Sequence, residues 1–207
     1  MKYESLIFDI DGTLWDSRSL VAEGYNIQLK KEGLEHLFVT AEDLKPLFGK
    51  VMTEIADNIF ASVDPSQRYD LMERCMETEN KYLFENKCKI GYPAVKETLA
   101  ELSKKYRLFI VSNSQCGYPE LCIEKLGLSK YIEGHMCFGD TGTSKGQTIL
   151  TLMKKHKIGP CIYIGDTQGD MEACKEAGIP FVFCAYGLGY TSTWDIRIES
   201  IEELLAL

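Results

Sequence analysis

Beyond residue 90, short apolar runs alternate with stretches of helical spacing, and this alternation most narrows the folds open to the chain. PAVKETLAELSKKY, PELCIEKLGL, SKGQTILTLMKKHK and DMEACKEAG carry helical spacing, while RLFIVSN, HMCFG, CIYIGD and PFVFCA between them read as strands. SIEELLAL closes the chain as a short helix. Such alternation predicts a parallel sheet covered on both faces. Upstream, residues 4–9 read as one more buried strand. Residues 17–87 read as helix after helix: SLVAEGYNIQLKKEG, AEDLKPLFG, VMTEIADNIFA, and a long one from Pro65, where proline suits a first helical turn. The expected fold class is α/β. A Rossmann-like parallel-sheet core of three layers (α/β/α), residues 1–14 and 88–207, would carry an inserted all-helical domain over 15–87.

In an open α/β sheet, ligands bind outside the carboxyl ends of the strands. The polar residues at those ends are Asp9 and Asp11, then Ser112-Asn113, then Ser144-Lys145 opening a helix, then Gly165-Asp166 with Asp170 four residues on. Four carboxylates on one face repel one another. A hard cation such as Mg²⁺ relieves this with oxygen ligands. Lys145 faces the positive end of a helix dipole, which is unfavourable by ~0.3–1 kcal/mol unless an anion is near. Mg²⁺, Lys145 and strand-end N–H groups together suit a phosphate dianion.

Asp-x-Asp-Gly-Thr at 9–13, Ser-Asn at 112–113, Lys145 opening a helix, and Gly-Asp-x-x-x-Asp at 165–170 together resemble the haloacid dehalogenase superfamily. The four motifs run in that family's order across the whole chain, and residues 15–87 resemble its C1 helical cap. The resemblance implies a phosphatase like the phosphoglycolate phosphatases. In it, Asp9 is the nucleophile that becomes an aspartyl phosphate, and Asp11 is the general acid and then the base. Asp9 and Asp166 bind Mg²⁺ through their side chains and Asp11 through its backbone carbonyl, with Asp170 an outer ligand. Ser112, Asn113 and Lys145 hold the phosphoryl oxygens, and Gly12 permits close backbone approach. An acid at Asp11 is absent from the true dehalogenases of the superfamily, which attack carbon. The motif-three lysine is often followed by proline, whereas Gly146-Gln147 follow here.

Other readings are weaker. GDTGTSKG at 139–146 lacks the spacing of a nucleotide-binding P-loop. A sugar-phosphate mutase of the same superfamily carries an arginine after the glycine of the cap loop, where this chain has Gly49-Lys50-Val51. A non-catalytic phosphate-ligand-binding member fits poorly with an intact acid set. Trp15 and Arg18 follow the first motif at an expected hinge, within reach of a leaving group. The cap aromatics Tyr25, Phe38, Phe48, Phe60, Tyr69, Tyr82 and Phe84 read as its small core. GLGY at 187–190 reads as a turn.

The net charge of −8, with no basic stripe, argues against a nucleic-acid partner. No run approaches the ~18 apolar residues of a membrane span. The eight cysteines include no Cys-x-x-Cys, and the three histidines are scattered, so a zinc site is not expected. With no signal peptide evident, they read as reduced residues in a cytoplasmic protein. The expected partner is a small phosphate ester, bound by a monomer or homodimer.

Overall fold

A computed structural model describes residues 2–207. Six strands form one sheet: β1 (Ser5–Phe8), β2 (Arg107–Ser112), β3 (Ile132–Cys137), β4 (Cys161–Gly165), β5 (Phe181–Cys184) and β6 (Ile196–Ile198). Their order is β3-β2-β1-β4-β5-β6, and every pairing is parallel. The apolar runs of β1 and β4 are wholly buried, as strands covered on both faces must be. Side chains alternate between two apolar clusters. Leu6, Phe8, Leu108 and Ile162 enter one; Ile7, Phe109, Val111 and Tyr163 enter the other.

The helices between β1 and β2 are α1 (Arg18–Lys31), α2 (Ala41–Leu44), α3 (Met52–Ile59), α4 (Pro65–Glu85) and α5 (Val95–Leu102). The rest are α6 (Tyr118–Lys125), α7 (Phe138–Thr141), α8 (Lys145–His156) and α9 (Gln168–Ala177). Residues Ile149 and Leu152 of α8, with Ala173 and Cys174 of α9, fill one face of the sheet. The other face's cluster runs without a break through Leu14 and Trp15 into Tyr25, Phe60 and Leu83 of the α1–α4 segment. No helix among the described residues is long and apolar enough to cross a membrane. All eight cysteines are free.

The parallel α/β expectation holds, with local corrections. β6 is an edge strand of three residues, too short to leave an apolar pattern. β3 begins at Ile132, earlier than HMCFG implied, because polar Glu133 and Gly134 hide its start. The helix expected over AEDLKPLFG stops at Leu44, since Pro46 lacks the N–H that another turn needs. SIEELLAL is a 3₁₀ segment, Ile201–Ala206. Among the aromatics of the α1–α4 segment, Tyr25 and Phe60 are buried, but Phe38, Tyr69 and Phe84 are exposed.

α1 and α4 pack closely at one point. A Cβ on Gly24 would lie 2.7 Å from the Cα of Glu79. Glycine costs a helix about 1 kcal/mol relative to alanine, so its use in mid-helix marks a needed close approach. A Gly24→Val variant should therefore lose about 1–3 kcal/mol from overpacking. The urea midpoint, followed by circular dichroism, measures this; an unchanged midpoint would show that the two helices part without cost.

Candidate active site

β1 and β4 lie side by side with Phe8 opposite Ile164, and the next connections leave the sheet in opposite directions. That is the switch point where an open α/β sheet forms a crevice. Asp9 follows β1 and donates its backbone N–H to Ile164 O at 2.8 Å. Asp166 follows β4, and Ser112 closes β2. Asp9, Asp166 and Asp170 are all buried, with carboxylate oxygens within 4.8 Å of one another.

Lys145 offsets part of this crowding. Its Nζ donates to Asp9 Oδ1 at 3.0 Å and to Asp170 Oδ1 at 2.6 Å. Ser144 caps the helix at Gln147 N, which sets Lys145 at the first helical position, 6% exposed. Burial alone would lower its pKa, but the two carboxylates outweigh it and hold the ammonium charged. Asp170 serves two purposes. Its Oδ2 accepts from Thr167 N and Thr167 Oγ1, the latter at 2.6 Å, in a capping box. Its Oδ1 faces Lys145.

Asp166 is held from the other side. Its Oδ2 accepts from Leu188 N and Gly189 N, both at 2.8 Å. The GLGY turn therefore forms a wall of the site. Asp166 Oδ1 is buried without a partner. That orphaned oxygen, among donors that are all hard carboxylates, fits a divalent cation. Burial, with Asp170 beside it, raises the Asp166 pKa to about 7. Asp9 is raised well above the usual carboxylate range by burial, against the pull of Lys145. Gly12 has φ +81°, and a Cβ there would sit 2.1 Å from Asp166 Oδ2. The residue was expected to admit phosphate; what it visibly makes room for is Asp166.

The Asp11 carboxylate leaves the line of β1. β1 ends at Phe8, so Asp9 and Asp11 are not on one strand face. The chain turns at Gly12, and the Asp11 carboxylate stands outside the acidic cluster. Its Oδ1 accepts from Trp15 Nε1 (2.8 Å), Ser17 Oγ (2.7 Å) and Tyr118 OH (2.9 Å). Burial raises its pKa to about 6, with the three donors opposing. Trp15, expected near a leaving group, is fully buried and positions Asp11 instead. Arg18 is taken up by Asp16 at 2.8 Å.

Ser112 and Asn113 line a cavity of about 40 Å³ with Asp9 and Asp11. Asn113 Nδ2 donates to Gly49 O at 2.8 Å, so its amide joins the strand-end loop to the helical segment. That contact was not expected for a phosphoryl ligand. Lys50 and Tyr25 reach the same cavity from the helical segment, as does Glu79 of α4. Ser17, Tyr118, Glu79 and the Leu188–Gly189 amides were missed in the sequence. Only GLGY carried a signal, its glycines; the others come from distant positions with no shared motif.

Asp11, Asp166 and Glu79 all have pKa values raised by burial, to about 6, 7 and 8. A raised carboxyl pKa gives stability that is present below the unfolded value and lost as pH rises through the folded one. The metal-free protein should therefore lose stability steadily between about pH 4 and 8. Added Mg²⁺ should oppose the loss most at the alkaline end, where the acids are ionised. Melting curves across this range, with and without Mg²⁺, check both; a melting temperature that rises to pH 8 without metal would contradict the account.

The sequence matches the haloacid dehalogenase-like hydrolase family over residues 6–184. The phosphoglycolate phosphatase of Aquifex aeolicus (strain VF5) is 28% identical over 189 residues, 88% of this chain and 84% of that protein. That of Vibrio parahaemolyticus serotype O3:K6 is 26% identical, over 97% of this chain and 93% of that one. A predicted phosphoglycolate phosphatase from Haemophilus somnus 129PT superposes with a TM-score of 0.83 at 22% identity, covering 100% of this chain and 98% of that one. A haloacid dehalogenase-like hydrolase from Streptococcus pneumoniae gives 0.81 at 22%, covering 99% and 98%. With a match across nearly all of the sheet and its acidic strand ends, the chain belongs to the haloacid dehalogenase-like hydrolase family.

Proposed function

We propose that the protein is a Mg²⁺-dependent phosphatase that hydrolyses a small phosphate monoester through phospho-Asp9. One observation carries the reading: the carboxylate held by Lys145 in the acidic cluster is separate from a second acid, Asp11, held by three donors of its own. The curated relatives, named as phosphoglycolate phosphatases, support it.

An Asp9 oxygen attacks phosphorus, and the bond from phosphorus to the leaving oxygen breaks. Asp11 gives its proton to that oxygen. Water then attacks the phosphorus of phospho-Asp9, Asp11 takes the water's proton, and Asp9 returns to a carboxylate. A pKa of about 6 suits a group that must give and take a proton near neutrality. All three donors to Asp11 meet at Oδ1, which leaves Oδ2 without one, and Asp11 lines the cavity. Lys145, with Ser112, holds the phosphoryl oxygens. Mg²⁺ at Asp9, Asp166 and the Asp11 carbonyl, with Asp170 behind, would neutralise charge so that two anions can meet.

Residues 15–87 act as the cap and 1–14 with 88–207 as the core. The bond from Asn113 to Gly49 O holds the closed state, and substrate entry breaks it. Eight free thiols suit a reducing compartment, the cytoplasm.

Phosphate release from a panel of small monoesters tests the reading. It should require Mg²⁺ and vanish in Asp9→Asn; release that survives in Asp9→Asn would refute it. In Asp11→Asn, kcat/KM for an alkyl phosphate should fall by about 10²–10⁴. For p-nitrophenyl phosphate, whose leaving group needs no proton, the fall should be far smaller. Equal losses on both esters would remove Asp11 from the role of acid.

A further inference from the structure

Glu79 is a buried acid, its pKa pushed up by burial, that the chemistry above leaves unused. It sits on α4, is 3% exposed and lines the cavity that holds Asp9 and Asp11. Its Oε2 has no hydrogen-bond partner. A buried acid oxygen without a partner carries a desolvation cost unless something arrives to meet it. Its backbone is fixed by the close approach of Gly24 on α1. Across the cavity, Gln115 of the loop after β2 donates to the neighbouring Asn80 at 3.1 Å, which ties this stretch of α4 to the phosphate side.

The surroundings define what could meet Glu79. Val21, Phe48, Met52 and Ile55 give the cavity an apolar wall. Its other acids are Asp9 and Asp11. Its one cation is Lys50, exposed at the rim, where water screens its charge. A cavity of about 40 Å³ takes only a short group. A carboxylate placed there would meet three acids and a solvated lysine, and it would hold Glu79 in the protonated form that burial already favours, whereas an ammonium would draw Glu79 into its ionised form. An ammonium or hydroxyl would give Glu79 the donor it lacks.

We propose that Glu79 is the specificity-determining residue for the leaving group: it selects a short alcohol bearing a hydrogen-bond donor, best a cationic amine, and rejects a carboxylate. This rests on the phosphatase reading, and it separates the protein from the phosphoglycolate phosphatases it resembles. Their named substrate carries a carboxylate where this cavity offers Glu79. The selection operates in the closed state, when α4 stands against the loop after β2.

Three two-carbon phosphates that differ only at the far end test this: phosphoethanolamine, 2-hydroxyethyl phosphate and 2-phosphoglycolate. The wild type with Mg²⁺ should rank them in that order in kcat/KM, with about a hundredfold between the ends. Glu79→Gln, which keeps the shape, should compress that span to about tenfold or less, because the ammonium loses its charge-assisted partner. The wild-type ranking needs no variant, so a poorly folding Glu79→Gln leaves the test intact. Preference for 2-phosphoglycolate, or an unchanged span in Glu79→Gln, would overturn the proposal. Should no ester release phosphate, the phosphatase reading fails by itself. The dissociation constants of the same three compounds for the Mg²⁺-loaded Asp9→Asn variant must then show the same order, and a different order overturns the selection.

Discussion

Three buried carboxylates within reach of one another are the constraint around which this structure is arranged. Asp9, Asp166 and Asp170 stand where β1 and β4 end side by side, at a point the parallel sheet fixes. Left alone, such charges would protonate or pull the site open. Several features of the chain answer this. Lys145 bridges two of the acids from a helix N-terminus that would otherwise disfavour it. The Leu188 and Gly189 amides hold the third. Gly12 and Gly165 lack side chains where a Cβ would strike Asp166 or Asp170. Asp166 Oδ1 lacks a partner, and a hard cation would supply one.

The same arrangement separates two kinds of acid. Asp9 is held among charges, by Lys145 on one oxygen. Asp11, two residues on, is turned by Gly12 into a nest of neutral donors: an indole, a hydroxyl and a phenol. Environments this different give neighbouring carboxyl groups different tasks. Glu79 adds a third environment, facing an apolar wall with one oxygen lacking a donor, on the side where a leaving group would lie. In the proposed reaction, attack, proton transfer and selection fall to three acids distinguished by what surrounds each.

Most of the fold was legible because parallel strands and their helices write separate periods into the chain. The residues at the strand ends, Asp9, Ser112, Lys145 and Asp166, could be gathered from sequence, since topology alone brings carboxyl ends together. Asp170 could be read both as a helix cap and as a member of the cluster, and it is both. What stayed hidden depends on tertiary contacts. Nothing near Trp15 says that its indole serves Asp11, and Tyr118 reaches Asp11 from 107 residues away. Glu79 lies in a helix rich in charge, METENKYLFE, where one buried acid looks like its solvated neighbours. Asn113 lines the cavity with Asp9 and Asp11, but its partner, Gly49, comes from a segment whose docking no local pattern records.

The most direct test of phospho-Asp9 is chemical trapping during turnover. Wild-type protein, Mg²⁺ and a substrate found in the phosphate-release panel would be mixed, quenched on the millisecond scale and reduced with borohydride. Peptide mass spectrometry would then read residue 9. The account predicts substrate-dependent conversion of that aspartate to homoserine, with Asp11, Asp166 and Asp170 unmodified. Phosphate released at full rate with no modification at Asp9, or with the label on another carboxylate, would contradict it.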